Sequence, residues 1–420
     1  MKSADPTSID LVYFNAGGGH RAAAAALDAV IREQARPWRV RRVNLFEVLD
    51  PRDSFRKIIG MQPEDFYNAR LARGWTLGLA QELKLLHAAI RLSHRAILTP
   101  LQSFWRSSRP NLVVSLVPNF NRAMFTALAN VLPDVPYVTV MTDFADFPPH
   151  FWMEPRQSQH LVCGTPWAVR QARSMGCPEQ RIHATSGMII RPEFYRERCI
   201  DRDAEMRRLG LNPDRPTGIV MFGGHGSKVM RNIARRLDDT QLILICGHNQ
   251  ELAAQLRSMR ARAGRCVVGF TDDIRYYMQL SDFFIGKPGP GSISEAVQQR
   301  LPVIVVRNAW TMPQERYNAD WVHENGVGVV LPSFKSIRDG VAEVTSRMTE
   351  FKSGAARIEN RAIFEIPEIL EHILRQERPP VRHTGHAMRA DRGNRRRDQP
   401  LTVIRAISRF VDSLSSPRAG

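Results

Sequence analysis

Three stretches of this 420-residue chain combine residue types suited to holding an anion or a sugar. The first is Gly17-Gly18-Gly19-His20, placed between an apolar strand pattern at 9–14 and an alanine-rich helix from 21 to about 36. Glycines let a backbone approach a ligand closely, and the free N–H groups of a following helix favour negative charge. Gly17, Gly19 and Ala22 fit the G-x-G-x-x-G/A spacing of dinucleotide loops, although a tight structural turn explains the same residues. The arrangement repeats at Gly223-Gly224-His225-Gly226-Ser227, again after a strand pattern. The third stretch is Gly286-Lys287-Pro288-Gly289-Pro290-Gly291-Ser292-Ile293-Ser294-Glu295-Ala296. Three glycines, two prolines and a cation between an apolar strand and a helix suit a diphosphate. One turn into that helix, Glu295 is placed to accept hydrogen bonds from a ribose diol, or merely to complement the helix dipole. Downstream, Gln314, Glu315 and Asn318 stand at i, i+1 and i+4. One helical edge can then present all three to sugar hydroxyls, or to solvent.

These residues need a scaffold, and the chain supplies strands alternating with helices. Strand patterns at 9–14, 38–45, 112–116, 137–141 and 160–163 precede a break near Arg191-Pro192-Glu193. Further patterns follow at 218–222, 241–246, 266–269, 283–285 and 303–306. Alternation of this kind predicts parallel α/β sheets with right-handed crossovers. Two such halves, each opening with a strand and a glycine turn, predict a cleft lined by the carboxyl ends of both sets of strands. We expect a first domain over 1–195, a second over 196–365 and a helix at 366–377 returning to the first. A basic tail at 378–420, largely unable to bury a core, carries a short amphipathic segment at 401–414.

Fifty-nine basic residues against forty-two acidic ones leave a net charge of +17. Much of it lies in residues 51–110, at +6, and residues 375–420, at +7. The excess implies an anionic partner. Cys163, Cys177, Cys199, Cys246 and Cys266 never adopt a CxxC spacing, which argues for a reducing compartment and against structural zinc. Neither a membrane-spanning run nor the apolar core of a signal peptide is apparent, so a cytoplasmic location is expected.

The ordered motifs GKPGPGSISEA and MPQERYNA, with GGGHRAAAAAL, MTDF at 141–144 and SGMIIRPEF at 186–194, resemble family 28 glycosyltransferases. Within that family they are similar to the monogalactosyldiacylglycerol synthases and processive diacylglycerol glucosyltransferases. The resemblance implies a GT-B fold, in which two Rossmann-like domains face each other across a cleft. It further implies inverting transfer of galactose or glucose from a UDP-sugar to diacylglycerol or a related lipid, with no metal or other cofactor. By motif position, Gly289, Pro290, Gly291 and Ser292 would line the diphosphate opposite Gly224, His225, Gly226 and Ser227. Glu295 would hold the ribose, Phe270 and Thr271 the uracil, and Gln314, Glu315 and Asn318 the sugar. Asp143 and His20 are the candidates for the base, Asp143 preferred, with Gly17, Gly18 and Gly19 forming an acceptor-side loop. The segment ADFPPHFW after Asp143 departs from the expected spacing and leaves His150 without a role. Asp238-Asp239 and Asp272-Asp273 read as helix or turn residues rather than ligands.

A lipid acceptor gives the charge a use. Residues 51–110 mix Arg and Lys with apolar stripes, Trp75 and Trp105, so we expect them to contact an anionic membrane on the inner face of the cell membrane. Ordinary core helices with solvated arginine faces would read the same way. The competing classes are a transferase or 2-epimerase of the same fold using UDP-N-acetylglucosamine on a non-glycerolipid substrate, a nucleic-acid binder and a dinucleotide oxidoreductase. The absence of any RNA- or DNA-binding motif opposes the nucleic-acid binder. GKPGPGSISEA opposes the oxidoreductase, while the basic insertion and MTDF oppose the epimerase.

Overall fold

A computed structural model describes residues 6–15, 19–50, 90, 93–309 and 311–377. Gly17 and Gly18, most of the 51–110 insertion and the 401–414 segment therefore lie outside the described residues.

Two six-stranded sheets make up the architecture, and every strand pairing is parallel. The first holds β1 (Thr7–Tyr13), β2 (Trp38–Asn44), β3 (Leu112–Ser115), β4 (Tyr137–Val140), β5 (His160–Cys163) and β6 (Ile182–Ala184), in the order β2-β1-β3-β4-β5-β6. The second holds β7 (Thr217–Met221), β8 (Gln241–Ile245), β9 (Arg265–Val268), β10 (Phe283–Gly286), β11 (Val303–Val306) and β12 (Gly328–Leu331), in the order β12-β11-β10-β7-β8-β9. The central strands are apolar because both of their faces are covered: all four residues of β3, β4 and β11 are buried. Strand order reverses between β1 and β3 and again between β7 and β10. At such switch points the loops part and leave a crevice. The turns after β1, β7 and β10, which carry the glycine motifs, flank these two points.

The helices that matter for the site are α1 (Gly19–Glu33), α2 (His94–Ser108), α3 (Asn121–Val131), α4 (Pro166–Ser174), α5 (Val229–Arg236), α6 (Gln250–Ser258), α7 (Pro290–Gln298), α8 (Arg316–Glu324) and α9 (Ala362–Gln376). In α1, Ala23, Ala24, Leu27, Val30 and Ile31 form the buried stripe. Thr165 caps α4 by accepting from the Ala168 N–H, with Pro166 in the first turn. From the far end of the chain, α9 packs Ile363, Ile366, Leu370, Ile373 and Leu374 into the same core as β1 and α1. Arg36 pairs with Glu371 across that seam at 2.7 Å.

Three sequence expectations need correction. The apolar stripe of α2 is core rather than membrane surface, since Ile97, Leu101 and Trp105 are buried among Val12, Val113, Ala127 and Leu128. An amphipathic helix with arginines on its outer face looks the same whether water and protein or water and lipid flank it. Two edge strands, β6 and β12, also went unforeseen. Three-residue β6 is too short for an alternation to register, and β12 begins inside a glycine-rich stretch.

Candidate active site

Beyond β4 the chain enters the segment 141–153, and Asp146 organises it. Its carboxylate accepts from the backbone N–H of His150 at 2.9 Å, of Trp152 at 2.6 Å and of Met153 at 3.4 Å. This holds Trp152 fully buried with its indole donating to Asp143 Oδ2 at 2.9 Å. The His20 ring lies 5.8 Å from that of Trp152, and its Nδ1 shares a 3.0 Å hydrogen bond with Thr142 Oγ1. Asp143 is thus buried at the end of a central strand, beside the helix that His20 opens.

Burial pushes the Asp143 carboxyl up to about 7. The Trp152 bond opposes that rise, as does the Lys287 charge, while Glu315 and Asp146 add to it. A carboxylate half-ionised near neutrality suits a general base. His20 is driven the other way: its surroundings hold it down to about 4, against a contact with the Leu116 backbone. The imidazole is therefore neutral at pH 7 and able to orient a hydroxyl without carrying charge.

Across the crevice, Lys287 Nζ binds Glu315 Oε1 at 2.6 Å. Asn318 donates to the Pro288 carbonyl at 2.8 Å. These two links tie the 286–291 loop to the start of α8. Gln314 and Glu315 do not share a helix with Asn318, as their spacing suggested. Pro313–Glu315 is a separate 3₁₀ turn, and α8 begins one residue later. Glu315 and Asn318 nonetheless both reach the 286–291 loop. Gln314 Oε1 and Asn318 Oδ1 are buried with no hydrogen-bond partner among the described residues. Buried acceptors left unmet are unusual, and they are the kind of group that a bound hydroxyl satisfies.

Gly289 is the N-cap of α7 and makes no side-chain cap bond, so the first turn keeps backbone N–H groups without an intrahelical partner. After β7, the strand beside β10, the 223–227 loop is braced by Gly247, where a Cβ would stand 2.1 Å from the Gly224 carbonyl oxygen. Ser227 Oγ accepts from the Val229 N–H at the entry to α5. Phe270 is half exposed and stacks on His248, with ring centroids 4.0 Å apart and planes 15° apart. His225 follows at 5.8 Å from His248. Thr271 Oγ1 accepts from the Asp273 N–H, and Asp273 in turn caps the next helix. Glu295 accepts from Arg191 Nε at 3.2 Å, and burial raises its carboxyl despite that cation. Arg191 also donates to the Asp272 carbonyl at 2.8 Å.

Trp152, Asp146, His248 and Arg191 are the parts that sequence reasoning did not single out, and Lys287 was read only as a nearby cation. None carries a spacing signal, because each acts through a partner brought close by a loop. Asp238 and Asp239 pair with Arg262 and Arg338. Among the described residues no group of three His, Cys, Asp or Glu is placed to hold a metal ion.

The two halves meet around the site. Phe144, next to Asp143, is buried in the core of the second sheet, its ring 4.7 Å from that of Trp321. Trp167 of α4 stacks on Tyr317 of α8 at 5.6 Å.

Comparison with known proteins fits this arrangement. Residues 219–373 match the glycosyltransferase family 28 C-terminal domain. Over 420 aligned residues the chain is 26% identical to a probable monogalactosyldiacylglycerol synthase 2 of Oryza sativa subsp. japonica, covering 90% of this chain and 82% of that protein. It is 30% identical over 243 residues to the processive diacylglycerol beta-glucosyltransferase of Staphylococcus carnosus, covering 56% of this chain and 60% of that one. Among solved structures, Acinetobacter baumannii MurG superposes with a TM-score of 0.56 at 10% identity, over 87% of this chain and all of that one. The calicheamicin glycosyltransferase CalG4 does so with a TM-score of 0.54 at 16% identity. The fold is GT-B, the second half is a family 28 glycosyltransferase domain, and the chain is a sugar-transferring enzyme.

Proposed function

We propose that this enzyme moves galactose or glucose from a UDP-sugar to diacylglycerol or a related membrane lipid, with inversion, to give a β-glycolipid. The observation that carries the reading is Asp143, a buried carboxyl pushed up to about 7 and lying within the electrostatic reach of the Lys287–Glu315 pair. Asp143 takes the proton of the acceptor hydroxyl as its oxygen forms a bond to the anomeric carbon. On the opposite side the bond from that carbon to the β-phosphate oxygen breaks, and UDP leaves with the electron pair. Attack opposite the leaving group turns an α-linked donor into a β-product. Charge gathering on the diphosphate is met by the N–H groups at the start of α7, by the 224–227 loop and by Lys287. Glu295 takes the ribose, Phe270 and Thr271 the uracil, and Gln314, Glu315 and Asn318 the hexose, satisfying the two orphaned amide oxygens. His20 orients the acceptor as a neutral imidazole.

The relatives' names support the lipid acceptor, and the net charge supports a peripheral place on an anionic membrane face. Among the described residues no helix is long and apolar enough to cross a membrane. The test is transfer of label from UDP-glucose and UDP-galactose to diacylglycerol in vesicles. One labelled glycolipid is expected, falling by about 10²–10⁴-fold in Asp143→Asn. An unchanged rate in that variant removes Asp143 as the base, and UDP binding without any glycolipid removes the lipid acceptor.

A further inference from the structure

The N-terminal half holds a second cavity, of about 560 Å³, between the first turns of α3 and the 150–157 segment. Its cations are Arg122 and Arg156, and the His150 imidazole lies beside them. Neither guanidinium pairs with a carboxylate among the described residues, and the one acid at the wall is Glu154. Arg122 acts on its neighbours accordingly, since its charge is the second cause, after burial, that lowers the His94 imidazole. His150 Nδ1 and Gln157 Oε1 are buried at the wall without hydrogen-bond partners among the described residues. Phe125, one turn along α3 from Arg122, and Pro155 supply an apolar side.

Two guanidiniums and an imidazole nitrogen, all without a partner among the described residues, meet at one space, with Arg122 standing in the first turn of an 11-residue helix. Guanidinium forks match phosphate oxygens in pairs, and helix N-termini favour the same charge. The volume exceeds what inorganic phosphate fills and falls in the range that takes a whole small ligand. We propose that this cavity is a binding site for a phosphate-bearing ligand, with Arg122 and Arg156 on the phosphate and the attached group against Phe125 and Pro155. The chemistry is shared by a soluble phosphate ester and a phosphate headgroup at a vesicle surface.

The wall of the cavity is also the wall of the crevice. His150 and Trp152 hang from the same Asp146 carboxylate, and Asn121 of α3 donates to the Trp152 carbonyl at 2.9 Å. A ligand gripping His150 and α3 therefore steadies the segment that presents the indole to Asp143.

The test uses the full chain and Arg122→Gln/Arg156→Gln, two exposed positions whose change leaves the core intact, with matching thermal melts as the control. Calorimetry with glycerol 3-phosphate, with saturating UDP to fill the diphosphate loops, reads the soluble source. Sedimentation with phosphatidylcholine vesicles, with and without dihexadecyl phosphate, reads the surface source. A loss of about 10–100-fold in affinity for either probe in the double variant is expected from removing two charge-assisted contacts. Equal affinities in both proteins, or no binding of either probe by the unaltered chain, overturn the proposal. The outcome is separate from transferase activity: a chain that transfers no sugar but shows this loss keeps the site.

Discussion

Asp143 owes its chemistry to its surroundings more than to its type. Its indole partner stabilises the charged form, so Trp152→Phe should raise the pKa further. Because the base must be ionised, the acid limb of kcat/KM should then move to higher pH by up to about one unit. A limb that stays in place removes the Trp152 contact from the mechanism. The same burial carries a stability cost whose sign is fixed. In the unfolded chain this carboxyl ionises near its ordinary 3.8, and in the folded protein only near 7. The folded state thus binds the extra proton, and stability falls as pH rises between those values. Asp143→Asn should therefore melt higher than the unaltered chain at pH 8, by about 2–4 kcal/mol of stability, and show no gain at pH 4. Thermal melts at the two pH values check it. MTDF marked this aspartate in the sequence. Its donor nine residues later carried no mark, because a loop folded around Asp146 brings the two together without any period to read.

At the scale of elements, glycine loops and strand runs were legible because each rests on local chemistry: φ freedom, free N–H groups, uninterrupted apolar residues. What pairs with a helix was not. The stripe of α2 looked like a membrane face and is packed against α3 and β3, since hydrophobicity alone does not name its partner. Gln314, Glu315 and Asn318 do not lie along one helical edge, because Pro313 starts a 3₁₀ turn of its own ahead of α8. The helix α9 makes the sharper case: its apolar side completes a core begun more than three hundred residues earlier. Leu370 has no exposed surface there. Leu370→Ala should cost about 2–5 kcal/mol in urea unfolding, from lost burial and the cavity left behind. A cost below 1 kcal/mol in that measurement would mean α9 is not integral to the first sheet's core.

Over the whole molecule, the two sheets share one plan and meet at side chains flanking the site, with Phe144 seated in the opposite core. Beyond the last described residue the chain carries the heavily basic segment 378–420. Ending the protein after Glu377 should weaken sedimentation with anionic vesicles at low salt and make little difference at high salt, where screening already removes the attraction. Unchanged sedimentation at low salt would assign membrane attraction to the rest of the chain. The placement of α9 also bears on synthesis. Strands β1 to β6 leave the ribosome first, yet one flank of their sheet stays bare until residues 362–376 emerge. The half that is made first is the last to be finished, and a nascent chain stalled anywhere in the second half presents an open apolar face to chaperones and to other chains.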